Sequence, residues 1–438
     1  MFHSVLCVSL DEQLSHQLSD HFVKRHFLFL QGVSSPFFKQ LAKLLIASGH
    51  RVTKVSFNMG DVAYWAPAQS VWFRQPQSEL AGFVAQLYQR EGITDQVLFG
   101  DRRPVHRIAV QQAREQGIRN HVFEEGYFRP YWVTLEREGV NSRSQLPRDV
   151  AWLRAAGNTL MALGQPQATI KTFQSPFWRR AAHDVAYHSA AALNPVVFPH
   201  YRTHASVLAP VEYAGFVARH FKNKFRGTQE HSRFHELLQR AEPFYFLPLQ
   251  LDSDFQVRDQ PVLNSMRAVL EHVMRSFAQH APVGTRLVIK NHPLDYGQVN
   301  YQALSAQLAG QYGVSGRVDY FETGDPAVLL QNALGTITLN STVGSLALER
   351  GCPTLCLAPA LYDVEGLTAQ CGLEAFWGRV PKPDPELFAL FKTVITQTTQ
   401  VNGGFYCPQG IALAAHASAK ILVADQSPLE RLKEQIAV

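Results

Sequence analysis

Three groups of polar residues stand where predicted strands of this sequence end, and their side chains could move protons and hold a phosphate. The groups are Glu124-Glu125, Asn291-His292 and Asn340-Ser341-Thr342. Open α/β sheets bind ligands at the carboxyl ends of their strands, so we expect the three groups to lie around one cleft.

The third group predicts a phosphate site. Thr336 to Leu339 is an apolar, β-branched run typical of a buried strand, and an apolar helical stretch follows until Gly351. The three polar residues between them are suitable N-caps, and a helix N-terminus attracts anions through its dipole and its unpaired N–H groups. An ordinary capped helix has the same pattern, so the stretch alone leaves both interpretations open.

The second group follows a strand predicted at Arg286 to Lys290. His292 precedes Pro293, which holds the loop in an extended conformation. A histidine there could donate to a phosphate or protonate a departing nucleotide, with Lys290 and Asn291 in support. The alternative is a surface histidine in a turn.

The first group offers two adjacent carboxylates. Glycosyl transfer needs a base for the acceptor hydroxyl, or a carboxylate that stabilises an oxocarbenium-like centre. Neighbouring residues of a strand point to opposite faces, but the turn at Gly126 would let Glu124 or Glu125 face the cleft. The alternative is that both carboxylates pair with arginines such as Arg129.

The N-terminal part of the chain reads as alternating strands and helices. Phe27 to Gly32 predicts a strand with a glycine turn, a helix follows from Ser34, and Val52 to Phe57 predicts the next strand. The loop with Gly32 and Ser34 then lies at the carboxyl end of a strand, where it could contact acceptor or donor together with Glu124. Residues 61–74 are predicted to be turns and loops.

The alternation of strands and helices divides the chain into predicted domains. It stops between about residues 129 and 242, where only helices are predicted, and resumes at Pro243. We therefore predict an α/β fold with an N-terminal domain at 1–242, including a helical extension, and a C-terminal domain at 243–400. A helical tail is predicted at 401–438. Two Rossmann-like domains facing each other across a cleft are the GT-B-like arrangement of nucleotide-sugar transferases.

Several common site motifs are absent from the sequence. There is no Walker loop, no Gly-x-Gly-x-x-Gly and no Gly-x-Ser-x-Gly elbow, which argues against ATP, dinucleotide and α/β-hydrolase sites. The cysteines have no metal-ligand spacing, and Asp252-Ser253-Asp254 is the only candidate metal segment. We predict no metal and no cofactor.

The composition of the chain predicts where the protein is located and which classes of molecule it binds. The 438 residues carry a formal net charge of +5 and contain neither a membrane-length apolar run nor a recognisable signal peptide, which predicts a cytoplasmic protein. The charge is too small and too dispersed for nucleic-acid binding and suits anionic small molecules or lipid better. Arg219 to Arg226 mixes bases with aromatics, either as a solvated helix face or as a patch for anionic lipid.

Together these motifs resemble the capsule polysaccharide biosynthesis and export family of Gram-negative bacteria. The matching stretches are Phe29 to Phe38, Glu124 to Glu136, Gly139 to Asn141, Pro248 to Asp254, Lys290 to Pro293, Asn340 to Gly344, Tyr362-Asp363 and Gly366 to Thr368. The likeness covers roughly Phe27 to Thr368.

The resemblance implies a β-Kdo transferase that moves Kdo from CMP-β-Kdo to lysophosphatidylglycerol and starts the poly-Kdo linker of the capsule. Similar motifs occur in bacterial sialyltransferases. By that likeness Glu125 is the catalytic carboxylate and His292 contacts CMP or assists its departure. The donor site comprises Lys290, Asn291, His292, Asn340, Ser341 and Thr342. The second acidic residue is Glu where relatives have Asp, and a β-linked product implies retention of configuration.

The resemblance also implies a place and partners. Such an enzyme would lie on the inner face of the inner membrane as a peripheral protein, beside other capsule synthesis and export proteins. Two alternatives stay open at this point. One is a non-catalytic export or scaffold protein that binds lipid-linked polysaccharide, and the other is a transferase for another CMP-sugar such as CMP-sialic acid.

Overall fold

The computed structural model describes residues 23–163, 170–202, 215, 229–240, 242–378 and 380–437. The basic segment Arg219 to Arg226 lies outside the described residues, as do the first 22 residues. None of the helices in the described ranges is long and apolar enough to span a bilayer.

A seven-stranded sheet forms the first domain. Its strands, numbered along the chain, are β1 (His26–Phe29), β2 (Arg51–Ser56), β3 (Val71–Trp72), β4 (Asp95–Phe99), β5 (Arg119–Glu125), β6 (Trp132–Arg137) and β12 (Gln400–Asn402). They lie in the order β12-β6-β5-β4-β1-β2-β3. Every pair is parallel except those that β6 makes with β5 and β12. Phe27, Leu28 and Phe29 are fully buried, as expected of a strand covered on both faces.

A five-stranded parallel sheet forms the second domain. Its strands are β7 (Phe244–Pro248), β8 (Arg286–Lys290), β9 (Val318–Phe321), β10 (Gly335–Thr338) and β11 (Thr354–Cys356), in the order β11-β10-β7-β8-β9. The predicted α/β fold with two Rossmann-like domains is thereby confirmed, and the strand ends of both sheets face a common cleft.

The helices cover both faces of the two sheets. In the first part of the chain they are α1 (Phe37–Ala47), α2 (Met59–Trp65), α3 (Leu80–Glu91), α4 (Pro104–Glu115), α5 (Val150–Ala162), α6 (Phe177–Ala191) and α7 (Asn194–Val197). In the second they are α8 (Phe255–Arg258), α9 (Met266–His280), α10 (Tyr301–Gln311), α11 (Pro326–Asn332), α12 (Thr342–Glu349), α13 (Leu373–Phe376), α14 (Pro385–Thr398), α15 (Pro408–Val423) and α16 (Pro428–Ala437). Residues 229–239 are helical as well.

Two local predictions were wrong. Residues 61–74, predicted as loop, contain most of α2 and the short strand β3, because Asn58 caps a helix there by accepting from the Asp61 N–H group. The region after Arg129, predicted to lack strands, contains β6. Its side chains do alternate, with Val133 and Leu135 buried against the core, but β6 follows β5 through a short turn rather than a crossover helix.

The C-terminal segment is part of the first domain and not a separate tail. β12 pairs antiparallel with β6, and α15 packs against α1. The helices predicted at 401–438 exist as α15 and α16. Because the chain crosses back after the second domain, the first domain is built from two distant parts of the sequence.

A helix pair fixes the two domains relative to each other. α14 packs along α5, so closely that a Cβ added at Gly157 would lie 2.6 Å from the Leu390 Cβ. Leu153 of the first domain and Leu348 of the second lie in the same apolar cluster. Arg102 Nε also reaches Asp259 Oδ2 across the cleft at 3.1 Å. Apolar packing and a largely buried ion pair thus join the two domains.

Candidate functional site

A cavity of about 330 Å³ lies between the two domains, and we call it the interdomain cavity. The first sheet contributes the ends of β4 and β5, and the second contributes the loops after β7, β8 and β10. Its lining includes these residues that the sequence singled out: Glu124, Glu125, Asp254, His292, Asn340, Ser341 and Thr342. The structure therefore brings the three predicted groups together.

The N-terminus of α12 forms one wall of the cavity. Ser341 is the N-cap, and its Oγ accepts from the Val343 N–H group at 3.2 Å. A hydroxyl that accepts this bond still carries a proton that it can donate. Thr342, the first helical residue, is exposed to the cavity. This wall therefore presents hydroxyl groups at the positive end of a helix.

Tyr362 holds this helix terminus in place, a role that sequence reasoning did not assign. Its hydroxyl donates to the Ser341 carbonyl oxygen at 2.5 Å. The ring lies against Gly344, where an added Cβ would come within 2.1 Å of the tyrosine oxygen. Glycine in the Asn-Ser-Thr-Val-Gly motif is therefore required by the close approach of Tyr362, and Tyr362 in turn fixes the cap.

Asn340 shapes the same wall through hydrogen bonds of its own. Its Oδ1 accepts from Gln250 Nε2 at 3.0 Å, and its backbone N–H donates to Gln250 Oε1 at 3.2 Å. The Asn340 Nδ2 group donates to the Gln256 carbonyl at 3.1 Å. Through these three hydrogen bonds, Asn340 holds the strand-to-helix turn against the loops of the second sheet.

His292 enters the cavity from the loop after β8. Its Nδ1 accepts from the Leu294 N–H group at 3.1 Å, so the neutral ring carries its proton on Nε2. Asn291 lies behind it, buried, and donates to Asp295 at 2.9 Å and Glu322 at 3.2 Å.

Lys290 and Asn291 are not among the residues that line the cavity. Lys290 is buried, and its Nζ donates to the Asn291 carbonyl at 3.1 Å. Asn291 Oδ1 accepts from the His292 backbone N–H at 2.8 Å. The structure places both residues where they support the loop that presents His292.

Glu124 and Glu125 both line the opposite wall. Glu124 Oε1 accepts from the Glu125 N–H group at 3.0 Å, and burial, with a further contribution from Glu125, raises the pKa of Glu124 to about 7. The chain turns immediately after them. A Cβ at Gly126 would lie 2.1 Å from the Trp132 carbonyl oxygen, so only glycine permits this turn.

Glu125 pairs with Arg180 on α6 and not with Arg129, the partner considered from the sequence. Its Oε1 lies 3.4 Å from Arg180 Nη1, and the guanidinium also lies 5.0 Å from the centre of the Tyr406 ring. The sequence offers no local signal for Arg180, because α6 and the C-terminal segment meet Glu125 only in the folded chain. The result is one carboxylate held by an arginine beside a second that titrates near neutrality.

The Gly32 and Ser34 loop lies beside the cavity and not in its lining. Arg103, which does line the cavity, donates to the Gly32 carbonyl at 3.0 Å and to Gln31 Oε1 at 3.1 Å. Ser34 hydrogen-bonds Asp184, whose pKa is raised by burial. The loop therefore fixes Arg103, another cation of the site that the sequence alone did not reveal.

The acidic segment after β7 is engaged in helix capping. Asp252 Oδ1 accepts from the Met266 N–H group at 2.6 Å, and its other oxygen accepts from Tyr301. Asp254 Oδ1 accepts from the Gln256 N–H group at 2.8 Å. Among the described residues, no group of three or more His, Cys, Asp or Glu side chains is arranged to hold a metal ion.

Comparison with known proteins places the chain in a family. Residues 94–406 match the family described as capsule polysaccharide biosynthesis protein. The chain is 33% identical over 383 residues to capsule polysaccharide export protein KpsS of Escherichia coli, covering 87% of this chain and 97% of that protein. It is 34% identical over 391 residues to capsule polysaccharide modification protein LipB of Neisseria meningitidis serogroup B, covering 87% and 91%.

A search of solved structures finds a similar overall outline in Thermosulfurimonas dismutans KpsC, beta Kdo 2,7 transferase. The match has a TM-score of 0.44 and 13% identity, and covers 94% of this chain and 100% of that one.

The fold and the cavity define an α/β protein with two Rossmann-like domains in a GT-B-like arrangement around a cleft. More narrowly, the chain belongs to the capsule polysaccharide biosynthesis family, which confirms the resemblance read from its motifs.

Proposed function

We propose that this protein is a glycosyltransferase that moves Kdo from CMP-β-Kdo to a lysophosphatidylglycerol acceptor and so starts the poly-Kdo linker of capsular polysaccharide. The observation that carries the proposal is the interdomain cavity, where a capped helix N-terminus faces two unequal carboxylates. The family motifs supply the identity of the donor and the acceptor.

The donor phosphate lies at the N-terminus of α12 in this proposal. Ser341 and Thr342 offer hydroxyl donors, the helix dipole favours negative charge, and His292 lines the same cavity with its Nδ1 already accepting from the backbone. As the bond between Kdo and CMP breaks, negative charge grows on the departing phosphate. His292 then stabilises that charge by donating, or by transferring, its Nε2 proton.

In this proposal the sugar and the acceptor lie at the opposite wall of the interdomain cavity, which carries Glu124 and Glu125. Glu125, held by Arg180, places a negative charge near the anomeric carbon, where positive charge develops. Glu124 has the pKa of about 7 that suits a group taking a proton from the acceptor hydroxyl near neutrality. A β-linked product from a β-linked donor retains configuration, which two carboxylates on one wall can support.

The proposal includes a location and partners. The protein works at the cytoplasmic face of the inner membrane, where a lysophospholipid acceptor resides, beside other capsule synthesis and export proteins. Arg219 to Arg226 is the proposed anionic-lipid patch, and neutralising Lys222, Lys224 and Arg226 is expected to weaken sedimentation with anionic vesicles. Unchanged sedimentation would count against this patch.

A transfer assay with matched variants tests the reaction. Purified protein is incubated with CMP-Kdo and a fluorescent lysophosphatidylglycerol in the presence of a chelator, and both CMP release and the lipid product are measured. Wild-type protein should give a Kdo-lipid whose linkage is β by NMR. The Glu125→Gln variant should give little or no Kdo-lipid. An α-linked product would refute retention.

The same assay separates the alternatives. The Escherichia coli relative is named as an export protein, which favours a non-catalytic export or scaffold role as the second candidate. Tight acceptor binding without product from wild-type protein would support that role. Product from CMP-sialic acid, undiminished by competing CMP-Kdo, would instead identify a transferase for another CMP-sugar.

A further inference from the structure

A second and larger cavity of about 920 Å³ adjoins the interdomain cavity, and we call it the apolar groove. It runs between α5, β6, α12, α14 and α15. Side chains that give it an aliphatic and aromatic character include Trp132, Met161, Val343, Leu346, Ala389 and Ile421. The reaction proposed above uses none of them.

The apolar groove and the interdomain cavity share part of their lining. Tyr127, Arg129 and Thr342 line both. A molecule in the groove could therefore place one end beside Thr342 and the carboxylates while the rest stays among apolar side chains. Such an occupant has a polar end and a long apolar part.

The outer end of the groove carries exposed apolar side chains. Met161 is 63% exposed and Ile170 is 44% exposed, although both line the groove. Leu163, close in the chain, is 56% exposed. Exposed apolar side chains around a concave apolar surface are typical of a binding site and not of an ordinary protein surface.

The charges along the groove match a lipid with an anionic head. Arg129 lies where the two cavities meet, and a guanidinium suits a phosphodiester. Lys392 in the groove is paired with Glu349 at 2.5 Å and lies 5.4 Å from the centre of the Phe128 ring. The groove thus offers a cation at its junction with the interdomain cavity and mainly apolar surface beyond.

We propose that the apolar groove holds the acyl chain of the acceptor lipid, with the headgroup phosphate near Arg129 and the acceptor hydroxyl in the interdomain cavity. This inference rests on the proposed function, because it places the acceptor of that reaction. It explains how a chain without a membrane-spanning helix among its described residues could draw a lipid hydroxyl to a polar site between two domains.

Chain length is the first test. Each buried methylene is worth about fourfold in affinity, so KM for the acceptor should fall by about fifteenfold for every two methylenes until the groove is filled. Acceptors are compared below their critical micelle concentrations, with glycerophosphoglycerol as the headgroup-only reference. A KM that does not change with chain length would overturn the proposal.

A blocking variant is the second test. Ala389 lines the groove on an exposed face of α14, so Ala389→Trp fills space there with little expected cost to folding. It should raise KM for a long-chain acceptor tenfold or more and leave KM for the headgroup-only acceptor unchanged. Ala412→Trp is the matched control, because Ala412 is exposed on α15 outside the groove lining.

Direct binding separates this inference from the proposed reaction. A lysophosphatidylglycerol with a pyrene at the end of its chain is titrated against wild-type protein and both variants. Saturable binding that Ala389→Trp abolishes and Ala412→Trp preserves supports the groove, even if no Kdo is transferred. Transfer that proceeds while Ala389→Trp binds the probe as tightly as wild type would refute the groove and leave the reaction intact.

Discussion

Arg180 Nη1 lies 3.4 Å from Glu125 Oε1, and the two residues are 55 positions apart in the chain. The ion pair orients one carboxylate of the interdomain cavity. Its neighbour Glu124 is partly buried, and burial raises its pKa to about 7. Two adjacent residues of the same type thus acquire different chemistry from their surroundings.

Replacing the two carboxylates separately should give different pH profiles. Glu125→Gln should lower kcat for Kdo transfer by a factor of about 100 to 10,000, in the range of lost acid–base or charge stabilisation. Glu124 must lose its proton to act as a base, so wild-type kcat/KM should rise with pH up to about 7 and then level. The Glu124→Gln variant should have a lower kcat/KM, and its kcat/KM should not rise with pH in this range. If kcat/KM still rises with pH in Glu124→Gln, another group causes the rise.

Replacing Arg180 should lower the activity, because Arg180 holds the Glu125 side chain in the wall of the interdomain cavity. Arg180→Ala leaves the Glu125 carboxylate without the partner that orients it, so kcat should fall by about tenfold or more. Arg180→Lys keeps a charge and should recover part of the activity. Equal losses of kcat in the Ala and Lys variants would indicate a purely structural role for Arg180.

Gly344→Ala should loosen the N-terminus of α12. Its methyl group would come within 2.1 Å of the Tyr362 oxygen, so the protein should lose about 1–3 kcal/mol of stability and bind CMP more weakly. CMP affinity is measured by calorimetry and stability by urea unfolding. Gly82→Ala is the matched control, because an added Cβ at that helical position meets nothing within 4 Å. CMP affinity equal to wild type in Gly344→Ala would contradict the phosphate site.

Breaking the ion pair across the cleft should affect donor binding more than turnover. Asp259 Oδ2 lies 3.1 Å from Arg102 Nε and 3.2 Å from Arg107 Nη2, and substitution of Asp259 by Asn removes this ion pair between the domains. KM for CMP-Kdo should rise severalfold while kcat changes little. As a control, Glu236→Gln breaks the exposed pair with Arg240 and should be silent. Identical kinetics in Asp259→Asn and wild type would show that the ion pair has no part in donor binding.

Glu136 should make folding stability depend on pH. Burial raises its pKa from 4.5 to about 7, and its carboxylate accepts from Tyr127 at 2.7 Å and from Ser144. The folded state therefore holds a proton that the unfolded state has lost between these values, and stability falls as pH rises through that window. Glu136→Gln should remove about 3 kcal/mol of this fall in a series of urea unfolding measurements. An unchanged slope would show that Glu136 is ionised in the folded protein.

Sequence alone predicted much of the architecture because local patterns specify it. Buried parallel strands read as continuous apolar runs, and hydroxyl caps and glycines mark the turns, so Thr336 to Leu339 and Arg286 to Lys290 were predicted nearly as they occur. The same rule placed Glu125, His292 and Ser341 at strand ends, and the parallel topology then brings them to one cleft.

Tertiary structure decided which of those residues face the cavity and what surrounds them. Lys290 and Asn291 lie behind His292, since their hydrogen bonds are made within the loop. The return of β12 to β6, the Glu125–Arg180 pair and the raised pKa of Glu124 depend on contacts between distant segments and on burial. The sequence pattern shows where a strand ends. It does not show which distant side chain will contact that strand end or how exposed to water the site will be.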